Sequence, residues 1–226
     1  MWLTRLRLNP RHPAVLRALA DVQAMHRLVM SGFGCVGSDR ARADLAVLHR
    51  LDVTREGGLL LLIQSVVEPG EWSSALPERV LLPVDGVSVR SAEAVLAAIS
   101  AGAVFDFKLR VNPTKRLQRD DPEGRLRKGA RVGLRGTMEQ MAWLRRKGAS
   151  HGFEVDEVSI TDAEHQTERG TRRASNQLVL EGVTFSGQLR VVDAEAFREA
   201  VTSGIGSGKA YGFGLLSLAR HGSQSH

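Results

Sequence analysis

The 226 residues, 42% hydrophobic and 25% charged, can hold one large domain or two small ones around a real core. A formal net charge of +6 favours a polyanionic partner, and no apolar run is long enough to span a bilayer. The single Cys35 excludes an intramolecular disulfide and fits a reducing cytoplasm.

Trp2 to Leu8 alternates apolar residues with Thr and Arg, the period of a half-buried strand rather than the continuous apolar core of a signal peptide. Asn9-Pro10 and Pro13 break it. One helix is expected next, with Val15, Leu16, Leu19, Val22, Met25, Leu28 and Val29 recurring at three- and four-residue steps. Ser31-Gly-Phe-Gly34 ends that helix. Ala46 to Val53 and Gly58 to Val67 read as strands joined by a turn at Arg55-Glu-Gly-Gly58. Ser91 to Ser100 reads as a short helix, and Ala103 to Val111 as the strand that closes the unit. The order βαββαβ is the ferredoxin-like arrangement shared with RNA-recognition domains.

A segment rich in Arg, Lys and Asp follows and reads as a linker or exposed loop. Beyond it, Thr137 to Lys147 is expected as a helix with Met138, Met141, Ala142 and Leu144 facing inward. Phe153 to Ile160 and Leu178 to Val192 alternate like strands, Ala194 to Val201 reads as a helix, and Tyr211 to Leu218 as the last strand. The chain therefore reads as α+β, with two tandem ferredoxin-like domains over 1–115 and 131–220. The basic linker takes 116–130, and a polar, frayed tail takes 221–226.

Seven histidines are present, none at a metal-ligand spacing; Cys35 lacks a Cys partner and no carboxylate cluster occurs. No metal or other cofactor is expected. Histidine alone remains suited to proton transfer near neutral pH, and His26 is the candidate. It sits at the edge of the buried helical stripe, with Gln23, Arg27 and Met30 as near neighbours. A lone helical histidine is commonly just a core-edge residue.

Most positive charge is arginine, which suits phosphate and guanine recognition, although a GC-rich genome gives the same bias. The glycine-dense turn Ser203-Gly-Ile-Gly-Ser-Gly-Lys-Ala-Tyr-Gly-Phe-Gly214 can bring backbone N–H groups and Lys209 against phosphate. It is not a nucleotide-binding P-loop, because Ser203 and Ala210 stand where that motif needs Gly and Ser or Thr. Tyr211 and Phe213 read mainly as packing residues.

That turn resembles the C-terminal glycine-rich loop of the repeat-associated mystery proteins, RNA-binding proteins of CRISPR systems. The opening Met1-Trp-Leu-Thr-Arg-Leu-Arg-Leu-Asn-Pro10 and then Met25-His26-Arg27 are similar to the CasE family, the CRISPR RNA-processing endoribonucleases of type I-E systems. Leu109-Arg-Val-Asn-Pro-Thr-Lys115, Gln140-Met-Ala-Trp-Leu144 and Leu180-Glu-Gly-Val-Thr-Phe-Ser-Gly187 continue the likeness in order along nearly the whole chain.

The resemblance implies metal-free cleavage of precursor RNA at repeat stem-loops by the RNA's own 2′-hydroxyl. The products are a 2′,3′-cyclic phosphate and a 5′-hydroxyl. His26 falls on the family's catalytic histidine and would protonate the leaving 5′-oxygen. Some members carry a tyrosine three residues earlier; Gln23 stands there, able to orient a hydroxyl but not to take its proton. RNA contacts are expected from Arg27 and Arg110, and from Lys115, Arg116 and Lys128 of the linker. Others are expected from a hairpin arm bearing Arg169, Arg172 and Arg173, and from Gly204, Gly206, Gly208 and Lys209. The partners implied are the repeat stem-loop, the mature guide RNA and other Cascade subunits in the cytoplasm, with no membrane. A non-catalytic RNA-binding subunit of the same superfamily is the alternative.

Overall fold

The computed structural model describes the backbone of residues 1–34, 41–120, 126–160, 166–170 and 178–221. The first unit runs β1 (Trp2–Leu8), α1 (Pro13–Ala20), α2 (Val22–Met30), α3 (Ala41–Asp44), β2 (Leu48–Val53), β3 (Leu59–Ser65), α4 (Trp72–Ala75) and β4 (Val87–Ser91). Its strands pair antiparallel in the order β2-β3-β1-β4. After α5 (Glu93–Ala97) come β5 (Val104–Val111), β6 (Thr114–Asp120), β7 (Leu126–Gly133), α6 (Thr137–Ser150), β8 (Phe153–Ile160), β9 (Gln166–Gly170), β10 (Leu178–Val191), α7 (Ala194–Ser203) and β11 (Leu216–Arg220). The second sheet has the order β11-β5-β10-β8, with β9 paired to part of β10.

Both sheets thus show the ferredoxin-like order, each from one βαββαβ pass. The strand expected to close the first unit, 104–111, instead opens the second and pairs with β10 and β11. The first sheet is closed by β4, an edge strand whose Val-Ser-Val-Arg-Ser sequence is largely exposed. A short exposed edge has no apolar face to announce it, and the four-residue α4 is too short to show a helical period. In the basic segment 116–130, expected as a linker or loop, the described residues 116–120 and 126–130 belong to the antiparallel pair β6–β7.

The helix expected over 15–29 is two helices. Asp21 between them is extended (φ −140°), and its carboxylate accepts from the Gln23 backbone N–H at 2.9 Å, capping α2. The break removes Leu16 and Leu19 from the apolar stripe, leaving them 52% and 43% exposed. Met25, Leu28 and Val29 stay in the first core with Leu6, Leu8, Leu61, Ile63 and Trp72. Phe105, Phe107, Leu144, Phe153, Phe185 and Phe197 build the second core. On α6 the expected inward face holds in part: Leu144 is buried and Met141 packs against the second core, whereas Met138 and Ala142 face solvent and Gln140, Trp143 and Gly148 are buried instead. Buried Gln140 is satisfied by donating to the Leu134 carbonyl at 2.8 Å.

Polar ties join the two sheets. Arg50 on β2, 2% exposed, pairs with Asp52 at 3.1 Å and donates to the carbonyls of Lys108 and Leu215. Lys108 reaches the same Asp52 carboxylate at 2.9 Å. Burial pushes that carboxyl up, but Arg50 and Lys108 together hold it below its ordinary range. Gln64 on β3 donates to the Val201 carbonyl on α7 at 2.7 Å.

Candidate active site

The loop that leaves α7 returns to the first unit and meets α2 there. Gly204 has φ +79°, and a Cβ on it would lie 2.8 Å from Leu48 Cδ1, so the backbone lies directly against β2. Left-handed Gly208 opens a 3₁₀ turn, Lys209–Tyr211, and a Cβ there would press the Phe213 ring at 3.0 Å. Local shape and packing account for these glycines. Lys209 Nζ donates to the Ser203 carbonyl at 2.7 Å, at the end of α7 where carbonyls lack helical partners.

His26, half-buried on α2, hydrogen-bonds the backbone of Ala210 in that 3₁₀ turn. Its ring is held below the ordinary histidine range chiefly by burial, then by Arg42; the Ala210 contact opposes this, and Arg27 adds to it. One helical turn earlier, Gln23 Nε2 donates to the Tyr211 hydroxyl at 3.2 Å. Tyr211 is therefore more than the packing residue expected from the sequence. Lys209 is lowered by burial, then by Arg42 and Lys147, so these cations share one neighbourhood.

Beneath them lies His49 on β2, 2% exposed. Burial, then His26, Arg110 and Arg42, push it down to about 3, so it is neutral at physiological pH. Its Nε2 has no hydrogen-bond partner among the described residues. Arg42, itself lowered by burial, donates to the Val47 carbonyl at 3.1 Å. Sequence reasoning passed over His49 and Arg42, since neither sits in a motif. Tyr211 did carry a signal, being the only tyrosine of the chain and inside the glycine-rich loop.

The expected RNA contacts scatter more widely. The side chain of Arg27 is 73% exposed and lies 3.9 Å from Asp21. Arg110 stacks over the Phe213 ring at 5.2 Å. Lys115 pairs with Glu139 at 3.0 Å, and Arg116 is exposed on β6. Lys128 faces Gln118 across the β6–β7 hairpin backbone, and Arg169 pairs with Val179 across β9 and β10. β9 runs beside α2, which brings the root of the arm to the helix of His26. Arg172 and Arg173 lie outside the described residues. Among the described residues, no three His, Cys, Asp or Glu converge into a group that could hold a metal. None of the described helices is long and apolar enough to cross a membrane.

The geometry places a half-buried imidazole beside Arg42 and Arg27, a phenolic hydroxyl against Gln23 one helical turn earlier, and strand β9 alongside the same helix. A family model described as CRISPR associated protein matches residues 1–220. The chain is 33% identical over 232 aligned positions to the CRISPR-associated endoribonuclease Cse3 of Thermus thermophilus, covering 97% of this chain and all of that one. It is 34% identical to the CRISPR system Cascade subunit CasE of Escherichia coli over 54% of this chain and 60% of that one. A solved structure of Cse3 bound to a 19 nt RNA superposes with a TM-score of 0.75 at 32% identity, over 97% of this chain and all of that one.

Proposed function

The chain belongs to the CRISPR-associated protein family that holds Cse3 and CasE, and from that premise we propose that it is an endoribonuclease of CRISPR precursor RNA. It cleaves at repeat stem-loops and keeps the mature guide RNA as a subunit of a Cascade-type complex. The observation that carries this reading is His26, seated on the Ala210 backbone beside Arg42 and Arg27 in a chain similar to Cse3 from end to end. The single Cys35 and the nucleic-acid substrate agree with a cytoplasmic setting.

In this mechanism the 2′-hydroxyl of the nucleotide before the scissile bond releases its proton to solvent water as its oxygen bonds to phosphorus, and the P–O5′ bond breaks. His26 gives its proton to the departing 5′-oxygen. The products are a 2′,3′-cyclic phosphate and a 5′-hydroxyl. In the free protein, burial and Arg42 favour the neutral imidazole. The scissile phosphate brings a negative charge that offsets both and favours the protonated acid, so the acid forms where its substrate lies. Arg42 and Lys209 stabilise charge that builds on the phosphate. Arg27, Arg110, Lys115, Arg116, Lys128 and the arm arginines 169, 172 and 173 serve the stem, through phosphate contacts and shape. Gly204, Gly206 and Gly208 shape the loop that presents Lys209.

The test is incubation with the chain's own repeat RNA in EDTA, with end-group analysis of the products. Cleavage with cyclic phosphate ends supports the reading. Tight binding of the stem-loop without cleavage would instead favour a non-catalytic RNA-binding subunit.

A further inference from the structure

We propose that Tyr211 is a further catalytic residue of this site, a phenol that donates a hydrogen bond to a non-bridging oxygen of the scissile phosphate, with Gln23 as its positioning residue. The inference rests on the cleavage reading above and assigns a group within it.

Three observations converge on the Tyr211 hydroxyl. It lies on the 3₁₀ turn whose Ala210 backbone holds the His26 ring, so the two side chains are fixed by one short piece of chain. That turn is bracketed by left-handed glycines, Gly208 at φ +77° and Gly212 at φ +86°, which set its direction. Gln23 Nε2 then donates to the phenolic oxygen at 3.2 Å. A hydroxyl that accepts from an amide has its own proton left to give. Among the described residues no protein acceptor takes it. A phenol proton that no described protein acceptor takes, on the same turn that carries Lys209, matches an incoming anionic oxygen.

During cleavage the non-bridging oxygens gain negative charge as the 2′-oxygen adds to phosphorus. A preoriented donor holds that charge better in the transition state than in the bound substrate, and so raises the rate rather than the affinity. Tyr211 keeps its proton throughout, and His26 alone supplies the proton for the 5′-oxygen. Gln23 never touches the RNA in this scheme; it prevents the phenol from rotating away.

The experiment is single-turnover cleavage of the chain's own repeat stem-loop at saturating protein, with binding measured separately. Tyr211→Phe should slow cleavage by about 10- to 100-fold while the dissociation constant changes less than about threefold. Gln23→Ala should cost about tenfold or less, and should add nothing in the Tyr211→Phe background. A phosphorothioate at the scissile phosphate provides a readout that a merely structural role would not move. In one of its two diastereomers the Tyr211→Phe penalty should shrink, because sulfur is a poorer acceptor. A wild-type rate for Tyr211→Phe, an equal penalty on phosphate and both thio substrates, or full additivity with Gln23→Ala each overturns the proposal.

A second arm needs no turnover. Because Tyr211 is the only tyrosine, 3-fluorotyrosine labelling gives one fluorine signal from this position. That signal should move when a stem-loop carrying a 2′-deoxy nucleotide before the cleavage site binds, and stay put with a stem truncated before the scissile phosphate. No movement with the full stem-loop refutes the contact even if cleavage proceeds, while His26→Ala that still cleaves refutes the broader reading instead.

Discussion

The two ferredoxin-like units share a strand order but treat their helices differently. In the second unit α6 and α7 are continuous and lie on their sheet as packing elements. In the first, the corresponding helix is cut at Asp21, and α2 starts afresh with its own cap. The cut turns α2 so that Gln23 and His26 leave the core edge and meet the loop descending from α7. In the proposed mechanism the first unit therefore supplies the acid, and the second supplies its seat, the phenol and Lys209. A catalytic site built this way depends on both units staying docked through the Arg50 and Gln64 ties.

The sharpest way to break this division is His26→Ala. It should lower single-turnover cleavage by about 10² to 10⁴, the usual worth of a positioned acid, with stem-loop affinity nearly unchanged. Wild-type cleavage should also fall as pH rises past the imidazole's pKa in the complex, because the acid must be protonated. Retained cleavage in the variant would move the chemistry elsewhere.

Next in size is the acid sensitivity of the first unit. His49 titrates near 6.5 when unfolded but near 3 when folded, so between those values the unfolded chain binds the extra proton. Its contribution to stability is complete above about pH 6.5 and is lost as pH falls, at about 1.4 kcal/mol per pH unit. The loss is at most about 5 kcal/mol by pH 3. Folded His26 is also held low and adds in the same direction. Urea unfolding at pH 7 and pH 5 should show the drop, and His49→Gln should flatten it. An unchanged slope would mean that His49 reaches solvent.

A smaller effect separates the arm from the site. Arg172→Ala with Arg173→Ala should weaken stem-loop binding and reduce the slope of log K against log salt by about two, one for each phosphate that is no longer neutralised. An unaltered slope would leave these arginines in solvent. The smallest test is the cut itself: Asp21→Ala removes the cap of α2 and should cost about 1 kcal/mol in thermal or urea unfolding. Cleavage should fall in that variant with binding kept, since His26 and Gln23 ride on the first turns of α2. A variant of full stability and activity would show that the cap does not set α2.

The sequence by itself determined the alternating strands 2–8 and 153–160, the tandem βαββαβ class and the candidate His26, because each rests on local periodicity or a contiguous motif. It could not place strand 104–111, since its apolar alternation suits either sheet and only pairing with β10 and β11 chooses one. Nor could it show the break at Asp21, where an unbroken apolar period hides a change of direction fixed by packing. Met138 likewise kept the spacing of Met141 and Leu144, yet it is exposed in the first turn of α6, and only the packing of that helix end shows it. The site follows the same rule. Gln23 and Tyr211 are 188 residues apart, and His49 lies in a strand with no motif, so only the folded chain joins them to His26. Short-range order is written in adjacent residues, whereas a contact across the fold depends on how two complete cores settle against each other.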